Sequence, residues 1–342
     1  MSQGNKIPRS VKKAGINDNA ELIIGDIDKA HKELGILQKE INEVIFGQNR
    51  VIEYTLTAIL AGGHALLVGA PGLAKTCLIE ALGTVLGLDE KRIQFTPDLM
   101  PSDIIGSEIM DSDKNGQRSF RYIQGPVFTQ LLMADEINRA SPRTQSALLQ
   151  AMQEYHVTVA GVRYDLPQPF HVLATQNPLE QEGTYPLPEA QLDRFLMQID
   201  IGYPDLTTER RIILETTGEN RQVVKPILST RKLQKIQQII RKMPISENVV
   251  EAILKLVRSA RPNSDHPLAA YIAWGPSPRA SQALSLCARA RALYHGRLAP
   301  SLDDIRALAQ PVLQHRMALN FSARAENITM KDIIANLVKD AL

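Results

Sequence analysis

Cysteine is scarce in this chain. Among 342 residues only Cys77 and Cys287 occur, far apart and in no Cys-x-x-Cys pair. That excludes a disulfide framework and a zinc knuckle, and each thiol is expected as a small buried apolar residue. Long apolar runs are missing as well. No window of about 18 uninterrupted apolar residues occurs, so no membrane-spanning helix is expected. The opening MSQGNKIPRSVKKAGINDN is polar and basic, without the apolar stretch of a secretory leader. Residues 1–20 are therefore expected as a flexible tail on a cytoplasmic protein. Charge of one sign is lacking too. The net charge is +2, which predicts neither a nucleic-acid nor a membrane partner and leaves only local patches open. The seven histidines include no His-Glu-x-x-His and no i,i+4 pair, so no metal other than magnesium is expected. Repeats and low-complexity tracts are absent.

What is present is globular: 44% hydrophobic and 22% charged residues, enough for one large domain or two. Apolar positions from Ile27 through Leu34, Leu37, Ile41 and Ile45 recur at helical spacing and predict an amphipathic helix ending at Phe46-Gly47. A second helix is expected over 49–61, stopped by Gly62-Gly63. Short strand-length runs follow at 65–69, 92–96, 131–136, 170–177 and 198–204, apolar on both faces as in a parallel sheet between helices. Helical patterns at 75–86 and 144–154 alternate with them, which argues for an α/β sandwich. Two stretches interrupt it. Residues 99–128 read as a short helix beside an inserted hairpin turning at 113–116, and 156–166 as a hairpin around Ala160-Gly161. After Pro204 the strands stop. Helices are expected over 207–217, 229–243, 246–260, 278–295, 302–320 and 329–342, forming a separate all-helical domain. The organisation is thus a tail (1–20), an α/β core (21–205) and a helical domain (206–342).

The stretch LLVGAPGLAKT, Leu66 to Thr76, almost fits the phosphate-binding pattern G-x-x-x-x-G-K-[ST]. Gly69, Lys75 and Thr76 fit, but Ala74 replaces the second glycine. The stretch follows a strand and opens a helix, where backbone N–H groups favour phosphate oxygens. Lys75 supplies a cation and Thr76 a hydroxyl for magnesium. Ala74 is expected where the backbone already turns helical. Its methyl is tolerable there at negative φ and costly at positive φ. A second strand, LLMADE, ends in Asp135 and Glu136. One carboxylate can hold the water shell of magnesium and the other polarise an attacking water. Acids capping the next helix are the plainer reading. Asn177 closes a third strand; it can orient water, or simply make an Asn-Pro turn with Pro178. Arg194 and Arg279 can each fork onto a phosphate, or serve as ordinary surface or ion-pair residues.

Together these residues are the pattern of AAA+ ATPases, and the chain resembles the MoxR family in particular. The resemblance lies in VIFGQ (44–48), GAPGLAKT (69–76), DLMPSDIIG (98–106), GPVF (125–128), ADEINRASPRTQSALLQAMQE (134–154), VLATQNPLEQEGTYPLPEAQLDRF (172–195) and SPRA (277–280), and covers about residues 33–342. It implies an α/β fold: a P-loop core with a five-stranded, mostly parallel sheet, followed by an all-α lid. It implies ATP and Mg2+ as ligands. The nucleotide-binding set is then Phe46, Gly47 and the Walker A loop Gly69, Ala70, Pro71, Gly72, Leu73, Ala74, Lys75, Thr76 and Cys77. Members often carry alanine before the lysine, so Ala74 looks like a family variant. Asp135 and Glu136 match Walker B, with Thr76 and Asp135 toward the metal. Asn177 matches sensor 1. Arg194 matches the arginine finger that reaches a neighbouring subunit's nucleotide, and Arg279 matches sensor 2, at the start of a lid helix with ATP between core and lid. Residues 99–128 match an insert in the clade's second core helix and 156–166 the hairpin before sensor 1, both facing pore or substrate. The family implies hexameric rings that remodel or activate client proteins, often ones with a von Willebrand A domain, and in several cases assist metal or cofactor insertion.

Other classes fit less well. A GTPase wants an Asn-Lys-x-Asp motif, and a small-molecule kinase would not need Asn177 with a trans-acting Arg194. Enhancer-binding activators carry a Gly-Ala-Phe-Thr-Gly-Ala loop that is missing. A nucleotide-binding switch without sustained turnover would not need complete acidic and sensor residues. A nucleic-acid-translocating motor is the serious alternative. It needs basic hairpin tips, but here His156 and Arg163 flank an apolar tip, and Lys114, Arg118 and Arg121 face Asp111 and Asp113. Arg139 and Arg143 could contact a neighbour or line the pore, or be solvated helix residues. Arg289, Arg291 and Arg297 could form a basic lid face, or be solvated.

Overall fold

The computed structural model describes residues 9–112, 118–180, 183–217 and 224–342, with the backbone alone for 9–23 and 112. Two helices, α1 (Arg9–Asn42) and α2 (Asn49–Leu60), precede β1 (Ala65–Gly69), α3 (Lys75–Leu86) and β2 (Glu90–Gln94). A short α4 (Pro101–Ile105) leads into the hairpin β3 (Gly106–Ser112) and β4 (Arg118–Gln124). Then come β5 (Leu131–Asp135), α5 (Pro142–Glu154), the hairpin β6 (His156–Val159) and β7 (Val162–Asp165), β8 (His171–Gln176), α6 (Glu189–Leu192) and β9 (Met197–Ile201). Beyond them lie α7 (Leu206–Thr216), α8 (Thr230–Lys242), α9 (Glu247–Ser259), β10 (Ile272–Trp274), α10 (Pro278–Tyr294), α11 (Leu302–Leu313), β11 (Ala318–Leu319), α12 (Phe321–Ala325) and α13 (Met330–Ala341).

The five core strands pair in the order β2-β5-β8-β1-β9, and every pairing is parallel. Successive side chains on a strand point to opposite faces, so neighbouring apolar residues must feed two separate cores. Leu67, Met133 and Leu173 pack on α1, α3 and the helical domain, while Leu66, Leu132 and Val172 pack beneath α5 with Phe95, Phe170 and Phe195. This is why the strands read as continuous apolar runs rather than alternating ones. The parallel arrangement brings the C-terminal ends of β1, β5 and β8 to one edge of the sheet, the edge where ligands bind in open α/β sheets.

The helical domain does not stand apart. Leu233, Ile240, Leu284 and Leu308 belong to the same buried cluster as α1, α2 and one sheet face. Helix α1 alone places Leu34, Leu37 and Ile41 there at 0% exposure, each worth about 1.5–3 kcal/mol of burial.

Three expectations shift. The helix read from Ile27 begins at Arg9, so the backbone is helical through most of the expected tail; residues 1–8 lie outside the described residues, as does the turn at 113–116. The helical domain contains a small antiparallel pair, β10 with β11, steadied by Asn320, whose backbone N–H and side-chain amide donate to Tyr271 O and Ala270 O. The helix expected to reach 320 stops at Leu313 and tightens into a 3-10 turn, Gln314–Arg316. Pro311 weakens that last stretch: it has no N–H for the carbonyl of Ala307. The Tyr54 hydroxyl takes that carbonyl instead, at 2.8 Å.

Candidate active site

The Walker A loop leaves β1 at Gly69, where a Cβ would lie 2.8 Å from the Ile201 carbonyl. Only glycine lets β9 approach so closely. Gly72 has φ +82°. Ala74 has φ 56° and ψ 23°, the left-handed region. Of the two alternatives for this position, the costly positive φ is the one present. An L-residue with a Cβ costs about 1–2 kcal/mol in that conformation, and helix α3 starts one residue later at Lys75. The Lys75 ammonium folds back onto the loop, donating to Gly69 O at 2.6 Å and Ala70 O at 2.8 Å. Partial burial lowers its pKa, opposed by the negative fields of Asp135, Glu136 and Glu180. Cys77 is exposed, which corrects the expectation of a buried thiol; Cys287 is buried.

Residues 46–48 close one side of the loop. Gln48 Nε2 donates to Leu73 O at 3.1 Å, while its Oε1 is buried with no hydrogen-bond partner. The Arg211 guanidinium lies 4.5 Å over the Phe46 ring. Gly47 has φ +70°, and a Cβ there would sit 2.4 Å from Thr208 Cγ2 on α7.

The acids at the end of β5 are held tightly. Asp135 Oδ2 accepts from Arg92 at 2.6 Å, and Asp135 Oδ1 accepts from the Thr175 hydroxyl at 2.5 Å. Glu136 turns out of the strand with φ 54° and ψ 49°, a second left-handed residue with a side chain. Its N–H donates to Thr175 Oγ1 at 2.9 Å. Glu136 Oε2 accepts from Gln94 Nε2 at 2.7 Å and from Arg139 at 2.9 Å. Strain held by neighbours in this way clusters at functional sites. Asn177 is 4% exposed, and its Oδ1 accepts from the Leu179 N–H at 3.1 Å.

The two arginines sit elsewhere. Arg194 donates to Leu149 O at 2.5 Å. Arg279, just inside the Ser277-capped start of α10, lies 4.0 Å from Asp193, the residue before Arg194. Arg279 of α10 thus approaches the core turn that carries Arg194, and no hydrogen bond or ion pair joins either arginine to Gly69–Thr76 among the described residues.

Comparisons with known proteins agree with this layout. Residues 64–197 match the model of the ATPase family associated with various cellular activities (AAA), and residues 268–337 match the AAA lid domain. Chaperone MoxR1 of Mycobacterium tuberculosis is 41% identical over 303 residues, 88% of this chain and 79% of that protein. The chain belongs to the MoxR family of AAA+ ATPases. YeaC of Bacillus subtilis is 41% identical over 90% of this chain and 94% of its own, and Protein MoxR of Paracoccus denitrificans is 32% identical over 86% and 91%. A crystal structure of a candidate ATPase from Cytophaga hutchinsonii superposes with a TM-score of 0.85 at 39% identity, covering 94% of this chain and 97% of that one.

Within this MoxR chain, motif reading missed the partners that fix the acids. Arg92 and Gln94 come from β2, where Gln94 pairs in register with Asp135. Thr175 stands two residues before Asn177, and strand order alone brings it beside Walker B. Arg139 is ion-paired to Glu136 at 2.9 Å. Arg291 and Arg297 form no free basic face, because both clamp the buried carboxylate of Asp304, and Arg291 also pairs with Glu53. Two hairpin arginines are paired, Arg163 with Asp165 at 2.8 Å and Arg121 with Asp111 at 3.4 Å, and His156 lies 3.3 Å from Glu154; Arg118 is exposed with no ion pair among the described residues, and Lys114 lies outside them. No described helix is long and apolar enough to cross a membrane.

Proposed function

We propose that this chain hydrolyses ATP in the cytosol as a ring of six copies and uses the cycle to remodel or activate a client protein. The observation that carries this reading is the convergence of Lys75, Asp135 and Glu136 at the C-terminal ends of β1 and β5, which flank β8, close enough for both acids to act on the Lys75 charge. The residues fit a nucleotide. Lys75 donates to its own loop carbonyls, and phosphate oxygens are the better acceptors for that ammonium. Gln48 keeps an unpartnered buried acceptor beside the loop. Thr76 and Asp135 would hold magnesium, which when bound draws charge from the phosphates. Arg92 and Thr175 hold the two carboxylate oxygens of Asp135 and aim it for that task. Glu136 accepts the proton of the attacking water, and Asn177 orients that water. Arg194 on the core turn and Arg279 on α10 meet at Asp193 and make no hydrogen bond or ion pair to the Walker A loop among the described residues, which suits joint service to a neighbour's nucleotide.

Calorimetric titration tests the site. Lys75→Ala should weaken ATP binding roughly ten- to a hundredfold, the worth of about 1.5–3 kcal/mol of charged hydrogen bonds. Glu136→Gln should bind ATP and not turn it over. Equal affinity in Lys75→Ala would sink the assignment.

The client is proposed as a protein, of the von Willebrand A class that the family resemblance implies. The chaperone name of the Mycobacterium tuberculosis relative supports it. So do Asp111 and Asp165, which balance Arg121 and Arg163 on the hairpins where a motor would carry an excess of positive charge. Tagged Glu136→Gln protein, pulled down with ATP from its own host, identifies the client; nuclease-sensitive DNA in the pull-down would favour the translocating motor instead.

A further inference from the structure

Arg316 is a cation with almost no water, its side chain 3% exposed. It belongs to the 3-10 turn after α11, yet it reaches into the core segment that carries Arg194. Its Nε donates to Asp193 Oδ1 at 2.7 Å. Its Nη2 donates to Phe195 O at 2.7 Å and to Asp193 O at 3.4 Å. Its Nη1 donates to Leu196 O at 3.2 Å and Val312 O at 2.5 Å. Most of these bonds go to the short turn 193–196. His315 Nε2 meets the same Phe195 carbonyl at 3.0 Å.

A buried guanidinium is a costly way to fill space, and an apolar side chain of that volume often serves stability as well or better. What the planar fork does that an apolar residue cannot is fix several backbone carbonyls at once. Here the fixed backbone brackets Arg194. The other oxygen of Asp193 faces the start of α10: the Ser277 hydroxyl lies at 3.3 Å from Oδ2 and Arg279 Nη1 at 4.0 Å. One carboxylate therefore receives two separate parts of the helical domain. The Arg316 link is short and buried. The Arg279 link is long, and that side chain is 53% exposed, so it can exchange Asp193 for another anion.

We propose that Arg316 and Asp193 are positioning residues that set how Arg194 is presented, and that Arg279 ties this presentation to the position of the helical domain. The proposal rests on the finger role given to Arg194 above. Arg316 touches no nucleotide itself. Its effect has to pass through the turn 193–196.

The test is turnover and ADP affinity, measured for single variants and on an Arg194→Ala background. Arg316→Met should keep ADP affinity within about twofold and lower kcat about tenfold or more, the pattern of an interaction used only in the transition state. Asp193→Asn should do the same, and Arg316→Lys, which keeps charge but not the fork, should recover part of the loss. Neither Arg316→Met nor Asp193→Asn should lower turnover further once Arg194 is alanine, because both act through it. Wild-type kcat in Arg316→Met, or additive losses on the Arg194→Ala background, would overturn the proposal. If Arg316→Met does not fold, Asp193→Asn decides by the same comparison. An Arg194→Ala enzyme with full turnover overturns the finger role and this proposal together. An inactive Arg194→Ala beside a fully active Arg316→Met overturns this proposal alone.

Discussion

Gln94 Nε2 lies 2.7 Å from Glu136 Oε2, so the carboxylate assigned to the attacking water is already engaged by a neighbouring strand. That hydrogen bond occupies the oxygen and must loosen before Glu136 can take up an attacking water. Gln94→Leu should therefore raise basal turnover about fivefold, the equivalent of one hydrogen bond of roughly 1 kcal/mol. A steady-state phosphate-release assay without client measures it. Unchanged turnover would mean that Arg139 alone holds Glu136.

Ala74 should prefer to be glycine on stability grounds. At φ 56° its methyl is strained, and the relief from Ala74→Gly exceeds the extra freedom glycine has when unfolded. Urea unfolding should show a gain of up to about 1 kcal/mol. A loss would mean that the methyl makes contacts which outweigh its strain.

Gly47 should accept no side chain. A Cβ at φ +70° collides with Thr208 at 2.4 Å and pushes α7 from the Walker A loop. Gly47→Ala should lower ADP affinity about tenfold, as one misplaced wall of a preformed site does. Thr208→Ala in the same chain should restore part of it. No recovery would make backbone strain, rather than the collision, the cause.

Buried imidazoles give the fold an acid limit. Burial lowers the pKa of His64 from 6.5 to about 3 and that of His171 to about 4, and it pushes His315 well down as well. His64 accepts the Val172 N–H at 2.9 Å on Nδ1, which a protonated ring could not do. These folded-state values lie below the unfolded one, so between pH 6.5 and about 4 the unfolded chain binds more protons. Stability is then complete above pH 6.5 and falls as pH drops, by about 1.4 kcal/mol per pH unit for each imidazole. Urea midpoints from pH 7 to 5 should show this slope, and His171→Asn should remove one proton's share. An unchanged slope in that variant would place the acid sensitivity elsewhere.

Much of the site was legible because its chemistry is local. Lys75 and Thr76 follow a strand, Asp135 and Glu136 end one, and each motif announces its own element. The parallel sheet was legible because buried strands leave no polar alternation. What the sequence hid is what depends on strand order or on a distant partner. The run at 92–96 reads as apolar on both faces, whereas β2 spans Glu90–Gln94 as an edge strand with only Ile93 buried, and its pairing with β5 is what brings Arg92 and Gln94 to the acids. Arg316 looks like the end of one more helix, and nothing near it names Asp193. The sign of φ at Ala74 was hidden for a different reason. The motif leaves either sign open, and only the turn into α3 makes it positive.

The buried cluster that joins Leu67, Met133 and Leu173 to Leu233, Leu284 and Leu308 has one more consequence. A chain cut after residue 205 would leave one face of its sheet, with α1 and α2, bare to water. The two halves are not separable parts that merely touch. They should melt in a single cooperative step in calorimetry, and a fragment ending at 205 should aggregate rather than fold. Any motion that parted them would uncover this shared apolar face, at a cost of about 25 cal/mol for each Å² exposed to water.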